Sequence, residues 1–315
     1  MRNKMLPLID FLAMRVWRNC PVCGAERGEP RFAKGPLCVV RCSRCGMIFA
    51  NPIGAEFAEG SFYDRQAAQY HLSPDKLQSD YAVVRFEREL RLFRQFCRQG
   101  NVLDVGCSTG AFLHQLAQRF PGDYTTLGAD VAGPALDEAE RRGVPVLRAP
   151  FVEHDFSEQQ FDAVTFWAVL EHLAEPRKFL VKASAVLKPG GYCFVLVPNM
   201  KSVAVRWLGP RYRYIMEEHL NYFTAQTLRR FVATERTFAI VALKSTHFNP
   251  VVLWQDRHGG TYRVPDAERA SLLKRTTALK QNPLLAPMKW IYSGIERLLG
   301  CLRLADNLVV VLRRN

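Results

Sequence analysis

Two groups of residues in this chain have types and spacings that can do chemistry. The first is Cys20-Pro-Val-Cys23 and Cys42-Ser-Arg-Cys45, two C-x-x-C pairs with 18 residues between them, each followed by a glycine, Gly24 and Gly46. Thiolates at this spacing offer four soft ligands to a tetrahedral Zn²⁺, and the glycines let backbone N–H groups turn toward the sulfurs. Two disulfides are the competing reading, but nothing else in the sequence points to an oxidising compartment. A redox C-x-x-C fits less well, because neither pair opens the helix of a βαβ unit. Of the other five cysteines, Cys38, between the pairs, reads as a core thiol.

The second group lies in Asn101–Leu113, where an apolar run ends in Asp104, passes through Gly106-Cys107-Ser108-Thr109-Gly110 and opens an apolar-periodic helix. Strand, tight turn and helix is how an α/β sheet presents backbone N–H groups to a ligand. No Gly-Lys-Ser/Thr follows, so this is not a phosphate loop, and the spacing is not G-x-G-x-x-G.

Asp104-x-Gly106-x-x-x-Gly110 resembles motif I of the class I S-adenosylmethionine-dependent methyltransferases, and further landmarks follow in that family's order. Thr125–Asp130 is similar to its second strand ending in an acid. Phe161–Leu173 is similar to its fourth strand with the FD-x-V…LEH ending, and Lys188-Pro-Gly-Gly191 resembles the turn before its fifth strand, Tyr192–Val197. The resemblance implies a Rossmann-like, doubly wound α/β fold with a seven-stranded sheet closed by an antiparallel hairpin. It implies S-adenosylmethionine as cofactor: Asp104, Gly106, Cys107, Ser108 and Gly110 at its methionine end, Asp130 on the ribose hydroxyls, Val131 on the adenine face and Trp167 beside the methyl group. The family often carries an acid or amide after the third strand for the adenine amino group. Here Ala149-Pro150-Phe151 has none, leaving backbone groups, Glu153 or His154 for that task.

Candidate catalytic residues come from two places. Glu171 and His172 follow the fourth strand and are expected to open the next helix; a histidine there is as often structural. Met216–Thr224 resembles the EHL-x-x-FT segment of small-molecule methyltransferases of the ubiquinone-biosynthesis and polysaccharide-cluster kind, which faces the acceptor pocket. His219 within it, with an ordinary pKa near ~6.5, suits removal of a hydroxyl proton; pinning a lid is its structural alternative. Thr224 reads as the N-cap of a helix from Ala225. Arg206, Arg211, Tyr212, Arg213 and Tyr214 form a basic-aromatic cluster that could grip a phosphate or sugar, or simply face solvent.

These sites need a scaffold, and 315 residues can bury a large core. The expected organisation is an arm and zinc ribbon (1–54), a helical connector (55–98) with a helix at Ala82–Cys97, the cofactor-binding core (99–248) with its third strand at 144–148, a helical insertion (249–305) and a last strand (306–315). The net charge of +13 is uneven: residues 99–200 carry 8 basic and 12 acidic groups, residues 201–315 carry 19 and 8. Basic flanks suggest an anionic partner or only an arginine-rich surface. No run of ~18 apolar residues predicts a transmembrane helix. Asp10 interrupts the short apolar stretch near Met1, so no signal peptide is expected and the protein is expected to be cytoplasmic. Residues 284–304 are amphipathic with basic flanks and could pack on the core, on a second subunit, or at the inner membrane face.

Together the residues read as an S-adenosylmethionine-dependent methyltransferase with a structural Zn²⁺, similar to zinc-headed methyltransferases of glycan and secondary-metabolite pathways. O-methylation of a sugar, glycolipid or other small or lipid-linked metabolite is the leading expectation. C-methylation of a nucleotide sugar, RNA methylation through the basic flanks, and a cofactor-binding scaffold without turnover remain open. Against RNA, the fourth strand ends in Trp167-Ala-Val-Leu170, not in an Asn/Asp-Pro-Pro-Tyr motif.

Overall fold

The computed structural model describes the chain apart from residues 1–14, 27, 61, 63–69, 158, 260–263 and 283–285. Most of the expected N-terminal arm, with Leu284 and Leu285, therefore lies outside the described residues. The ribbon is built largely from neighbours in sequence. β1 (Arg15–Val16) pairs with β5 (Ile53–Gly54); β2 (Gly28–Lys34) and β3 (Leu37–Cys42) form a hairpin, and β4 (Ile48–Ala50) lies on the other side of β3.

The connector holds α1 (Ala55–Ala58), α2 (Pro74–Asp80) and α3 (Glu87–Phe96). The predicted helix at Ala82–Cys97 starts five residues late. The Gln115 amide donates to the carbonyls of Asp80 and Ala82, which ties that stretch into turns.

The core alternates strands and helices as its apolar periodicities predict. β6 (Gly100–Val105), α4 (Ala111–Arg119), β7 (Tyr124–Asp130), α5 (Gly133–Arg141), β8 (Val146–Arg148), β9 (Phe161–Trp167), α6 (Pro176–Val186) and β10 (Leu187–Pro198) follow in order. β8 is shorter than the predicted 144–148, because the Val144 N–H is taken by Ala139 O at the end of α5. Next come α7 (Val203–Leu208), β11 (Asn221–Tyr222), α8 (Ala225–Val232) and β12 (Phe238–Thr246). The insertion consists of α9 (Pro250–His258), α10 (Asp266–Gln281) and α11 (Ala286–Cys301), and β13 (Asn307–Arg314) ends the core.

The seven-stranded sheet has the order β12-β13-β10-β9-β6-β7-β8, with β13 antiparallel to both neighbours. The order reverses between β6 and β9, and open α/β sheets place ligands at such a switch point, beyond the strand C-termini. Phe93, Phe112 and Phe194 pack on the face covered by α3 and α4, with ring centroids 4.9–5.9 Å apart. The opposite face buries Phe166, Leu180, Phe223 and Phe231, and the ribbon residues Cys20, Cys42 and Phe49 belong to the same cluster.

One connection crosses the expected boundary. β11, from the long segment after β10, pairs with β4 as the fourth strand of the ribbon sheet, matching Asn221 with Phe49 and Tyr222 with Ile48. Thr224 caps α8 as the sequence predicts, in a reciprocal capping box with Thr227. Among the described residues no helix is long and apolar enough to cross a membrane.

Candidate functional site

The four ribbon thiols meet. Cys20 Sγ lies 3.4 Å from Cys45 Sγ and Cys23 Sγ lies 3.5 Å from Cys42 Sγ, and all four fall within 4.8 Å of one another. A tetrahedron with 2.3 Å arms has edges of about 3.8 Å, so the donor set fits Zn²⁺. Gly24 and Gly46 take φ of +72° and +76° and donate their N–H groups to Cys20 O and Cys42 O at 2.9 Å. A side chain at either position would strain these turns. Burial pushes the Cys45 thiol up to about 11; at Cys42 burial acts the same way, but the Cys45 amide and the Cys23 thiol draw it down to about 7. Arg230 of α8 donates to Cys45 O, fastening the cluster to the core.

At the C-terminal end of β6, Asp104 is buried and accepts a hydrogen bond from Thr165 Oγ1 at 2.6 Å. Burial, opposed by that bond and aided by nearby Asp130, lifts its carboxyl to about 7. Gly106 has φ +74°, and a Cβ there would come within 2.6 Å of Val169 Cγ2; at Gly110, φ +73°, it would meet Ala139 Cβ at 3.0 Å. The loop is thus a cradle that side chains would fill. Asp130 ends β7 and accepts from the N–H groups of Ser108 (2.8 Å), Val131 (2.7 Å) and Ala132 (3.1 Å), so it holds the two strand ends together. Cys107 is buried and its thiol is pushed far up by burial, while Val131 is exposed beside the strand end. A glycine cradle, a buried carboxylate and an acidic strand end suit a zwitterionic, positively charged nucleoside ligand such as S-adenosylmethionine. The Trp167 ring packs on Phe112 and Phe194 at 5.2 and 6.1 Å, and its buried Nε1 has no hydrogen-bond partner among the described residues. His154 rests edge-on against Phe156.

Glu171 and His172 do not open a helix, contrary to expectation; they lie in a turn and α6 begins at Pro176. The carbonyls that would build such a helix are already used. Glu171 O accepts from the N–H groups of Leu220 (2.6 Å) and Asn221 (2.9 Å), and the Asn221 amide donates to Leu170 O and Leu173 O at 2.7 Å. This crossing brings His172 and His219 together with ring centroids 4.7 Å apart, edge to face. Polar atoms of Glu171, His172 and His219 all lie within 4.8 Å of one another. His172 Nδ1 donates to Glu218 O (2.8 Å) and His219 Nδ1 to Tyr214 O (2.9 Å). A carbonyl only accepts, so each Nδ1 carries the proton and each Nε2 the lone pair. Burial lowers the His172 pKa to about 4 and drives that of His219 well below its ordinary value. Burial also raises the Glu171 carboxyl to about 8, and its Oε2 has no hydrogen-bond partner among the described residues.

Three further residues reach this cluster without a signal in the sequence reading. The Tyr70 ring lies 4.5 Å from the Arg269 guanidinium and 5.5 Å from Lys76 Nζ. His71 Nδ1 is 3.1 Å from Ser108 Oγ, joining the connector to the glycine loop. Arg269, on α10, stands 3.9 Å from Glu218. Nothing local marks them; only the packing of α10 against α2 brings them in. The basic-aromatic cluster comes out differently from its expectation. Arg213 is buried and bound to Asp256 through its N–H (2.7 Å) and Nε (2.8 Å), and Tyr212 is buried as well. Arg213 is therefore neutralised in place, and its fork is spent on Asp256. Arg211 still lines a cleft with Lys34, Phe57, Met216, Glu218 and Arg269, and Tyr214 stacks on His219 with its ring centroid 6.2 Å away.

Comparison with known proteins gives the same picture. A family model described as a methyltransferase domain matches residues 77–243, more than half of the chain. A ubiquinone biosynthesis O-methyltransferase of Chromobacterium violaceum is 32% identical over 164 residues, covering 48% of this chain and 69% of that protein. One of Bradyrhizobium sp. is 30% identical over 202 residues, covering 59% and 72%. A probable tRNA methyltransferase 9B of Mus musculus is 35% identical over 116 residues, 36% of this chain but only 25% of that protein. Among solved structures, a methyltransferase of Thermotoga maritima described as a possible histamine N-methyltransferase superposes with a TM-score of 0.51 at 15% identity, covering 81% of this chain and 99% of that one; this likeness is one of fold. The chain belongs to the methyltransferase domain family and is an S-adenosylmethionine-dependent methyltransferase.

Proposed function

We propose that this enzyme methylates a hydroxyl group of a small acceptor, a sugar, glycolipid or related metabolite, with His219 as the general base. The observation that carries this reading is the pairing of buried His219 with half-buried His172, both held neutral, with the Nδ1 proton of His219 committed to Tyr214 O so that its lone pair lies on Nε2. S-adenosylmethionine, when bound, supplies a methyl group already activated by its sulfonium. The protein's part is to hold the acceptor oxygen in line and to take its proton. Positioning is worth roughly 7–11 kcal/mol and a general base about 10²–10⁴-fold.

In this reading Asp104 and the loop Gly106–Gly110, with Cys107 and Ser108, hold the methionine end, where the backbone amides before α4 favour a carboxylate. Asp130 exchanges part of its backbone bonding for the ribose hydroxyls, Val131 covers the adenine face, and Trp167 walls the methyl end. His219 Nε2 accepts the acceptor proton, and His172 positions the acceptor beside it. Cys20, Cys23, Cys42 and Cys45 hold a structural Zn²⁺. The expected domain boundaries stand as part of this proposal, with the ribbon sheet continued by β11. The two relatives named as O-methyltransferases support a hydroxyl acceptor, and the neutral base fits a hydroxyl better than an amine, which needs only its own lone pair.

The test uses S-adenosylmethionine with a radiolabelled methyl group, incubated with the enzyme and a cell extract, followed by fractionation. Label in small molecules or lipids that survives mild base is expected. Label removed by RNase overturns the reading in favour of RNA, the substrate named for the mouse relative. Label in a carbon-bound methyl group of a nucleotide sugar overturns the O-methyl assignment alone.

A further inference from the structure

We propose that the outer face of α11 docks this enzyme onto an anionic lipid surface, an association separate from the identity of the acceptor. One edge of the helix is anchored to the core. Tyr292 Oη donates to Phe248 O, and Glu296 accepts from Arg88 and from the Phe248 N–H (3.0 Å). The other edge carries Met288, Ile291, Ile295, Leu298 and, just past the helix end, Leu302, all exposed; Ile291 is 68% and neighbouring Trp290 84% accessible. Spacings of three and four residues put these five on one stripe of the helix. An apolar stripe this exposed on a soluble surface marks a contact site.

Charge decides what the stripe meets. Read as a heptad, with Met288, Ile291, Ile295, Leu298 and Leu302 on the seam, the flanking positions are Pro287, Tyr292, Gly294, Leu299 and Cys301. None is charged, so a second copy would find none of the paired charges that fix partner and register. Residues 286–305, the helix and the turn after it, carry Lys289, Arg297 and Arg303 and a single acid, Glu296, which is turned inward. A helix with basic residues in its sequence, its one acid turned inward, and an exposed apolar stripe beside an exposed tryptophan matches a helix lying in the headgroup region of an anionic bilayer. The helix is 16 residues long and does not cross the membrane.

Flotation of the full-length enzyme with vesicles tests this. Vesicles of phosphatidylcholine with a phosphatidylglycerol fraction are expected to carry it up the gradient, pure phosphatidylcholine much less, and raised salt is expected to release it. Ile291→Asp and Leu298→Asp should each weaken binding by about tenfold or more, and Arg297→Glu should weaken it on anionic vesicles only. Affinity for S-adenosylmethionine, unchanged in every variant, shows that they fold. Failure to bind anionic vesicles, or equal binding by Ile291→Asp, overturns the proposal. So does a dimer in sedimentation that Ile291→Asp dissolves, which would assign the stripe to a second copy.

Discussion

The glycine loop and the histidine cluster reach their geometry by opposite routes. At the glycine loop, one unbroken stretch from Gly100 to Ala132 supplies the strand, the loop, the helix and the acid that ties them together. At the histidine cluster, Tyr70, His172, His219 and Arg269 come from four separate segments and meet only because β11 crosses to the ribbon and α10 packs on α2. A loop built from neighbours has little choice of partner. A pocket assembled from distant pieces depends on every piece, so a fault in the ribbon should reach it and leave the glycine loop largely untouched.

Cys42→Ser tests that contrast most severely. Structural zinc stabilises small folds by about 10–16 kcal/mol in isolated peptides, so loss of one ligand should empty the site and unravel β3 and β4. β11 then loses its partner and His219 its place. Methyl transfer should fall below detection while S-adenosylmethionine still binds within about tenfold of the wild type, because the proposed cofactor contacts lie in the glycine loop and the strand ends beside it. Metal analysis and calorimetry read the two halves separately; a zinc-free variant with full turnover would uncouple the ribbon from the pocket.

His219→Ala acts at the histidine cluster alone. Turnover should drop about 10²–10⁴-fold, the worth of a general base, with cofactor affinity nearly unchanged; a normal kcat in the variant removes His219 from proton transfer. Asp130→Ala acts at the glycine loop and should be the mildest of the three. Loss of a charged hydrogen bond costs about 1.5–3 kcal/mol, about ten- to a hundredfold in cofactor Kd, with kcat at saturating cofactor close to wild type. Equal affinity by calorimetry would leave Asp130 only its bonds to the loop amides.

The same contrast explains what could be read from the sequence. The sheet, the ribbon thiols, the glycine loop and the Thr224 cap depend on neighbours or on short repeating spacings, and each stands where its pattern puts it. Glu171 and His172 were expected at a helix start because local propensity is blind to Asn221, whose side chain takes the carbonyls such a helix needs. Arg213 looked like a free cation because Asp256, its partner, lies in a different element. Tyr70 and Arg269 carried no motif at all. Their place comes from tertiary packing, which a reading of spacings does not contain.

The position of β13 bears on how the molecule forms. It follows the six other strands of its sheet in sequence, yet it sits between β10 and β12 and hydrogen-bonds to both. Until it arrives, two strands wait with open edges, while the ribbon hairpin and the glycine loop can already have closed on their neighbours. Long-range pairing of this kind is slow, and unpaired edges invite association between chains. The interval before β13 docks is therefore the time at which a nascent chain is most exposed to aggregation.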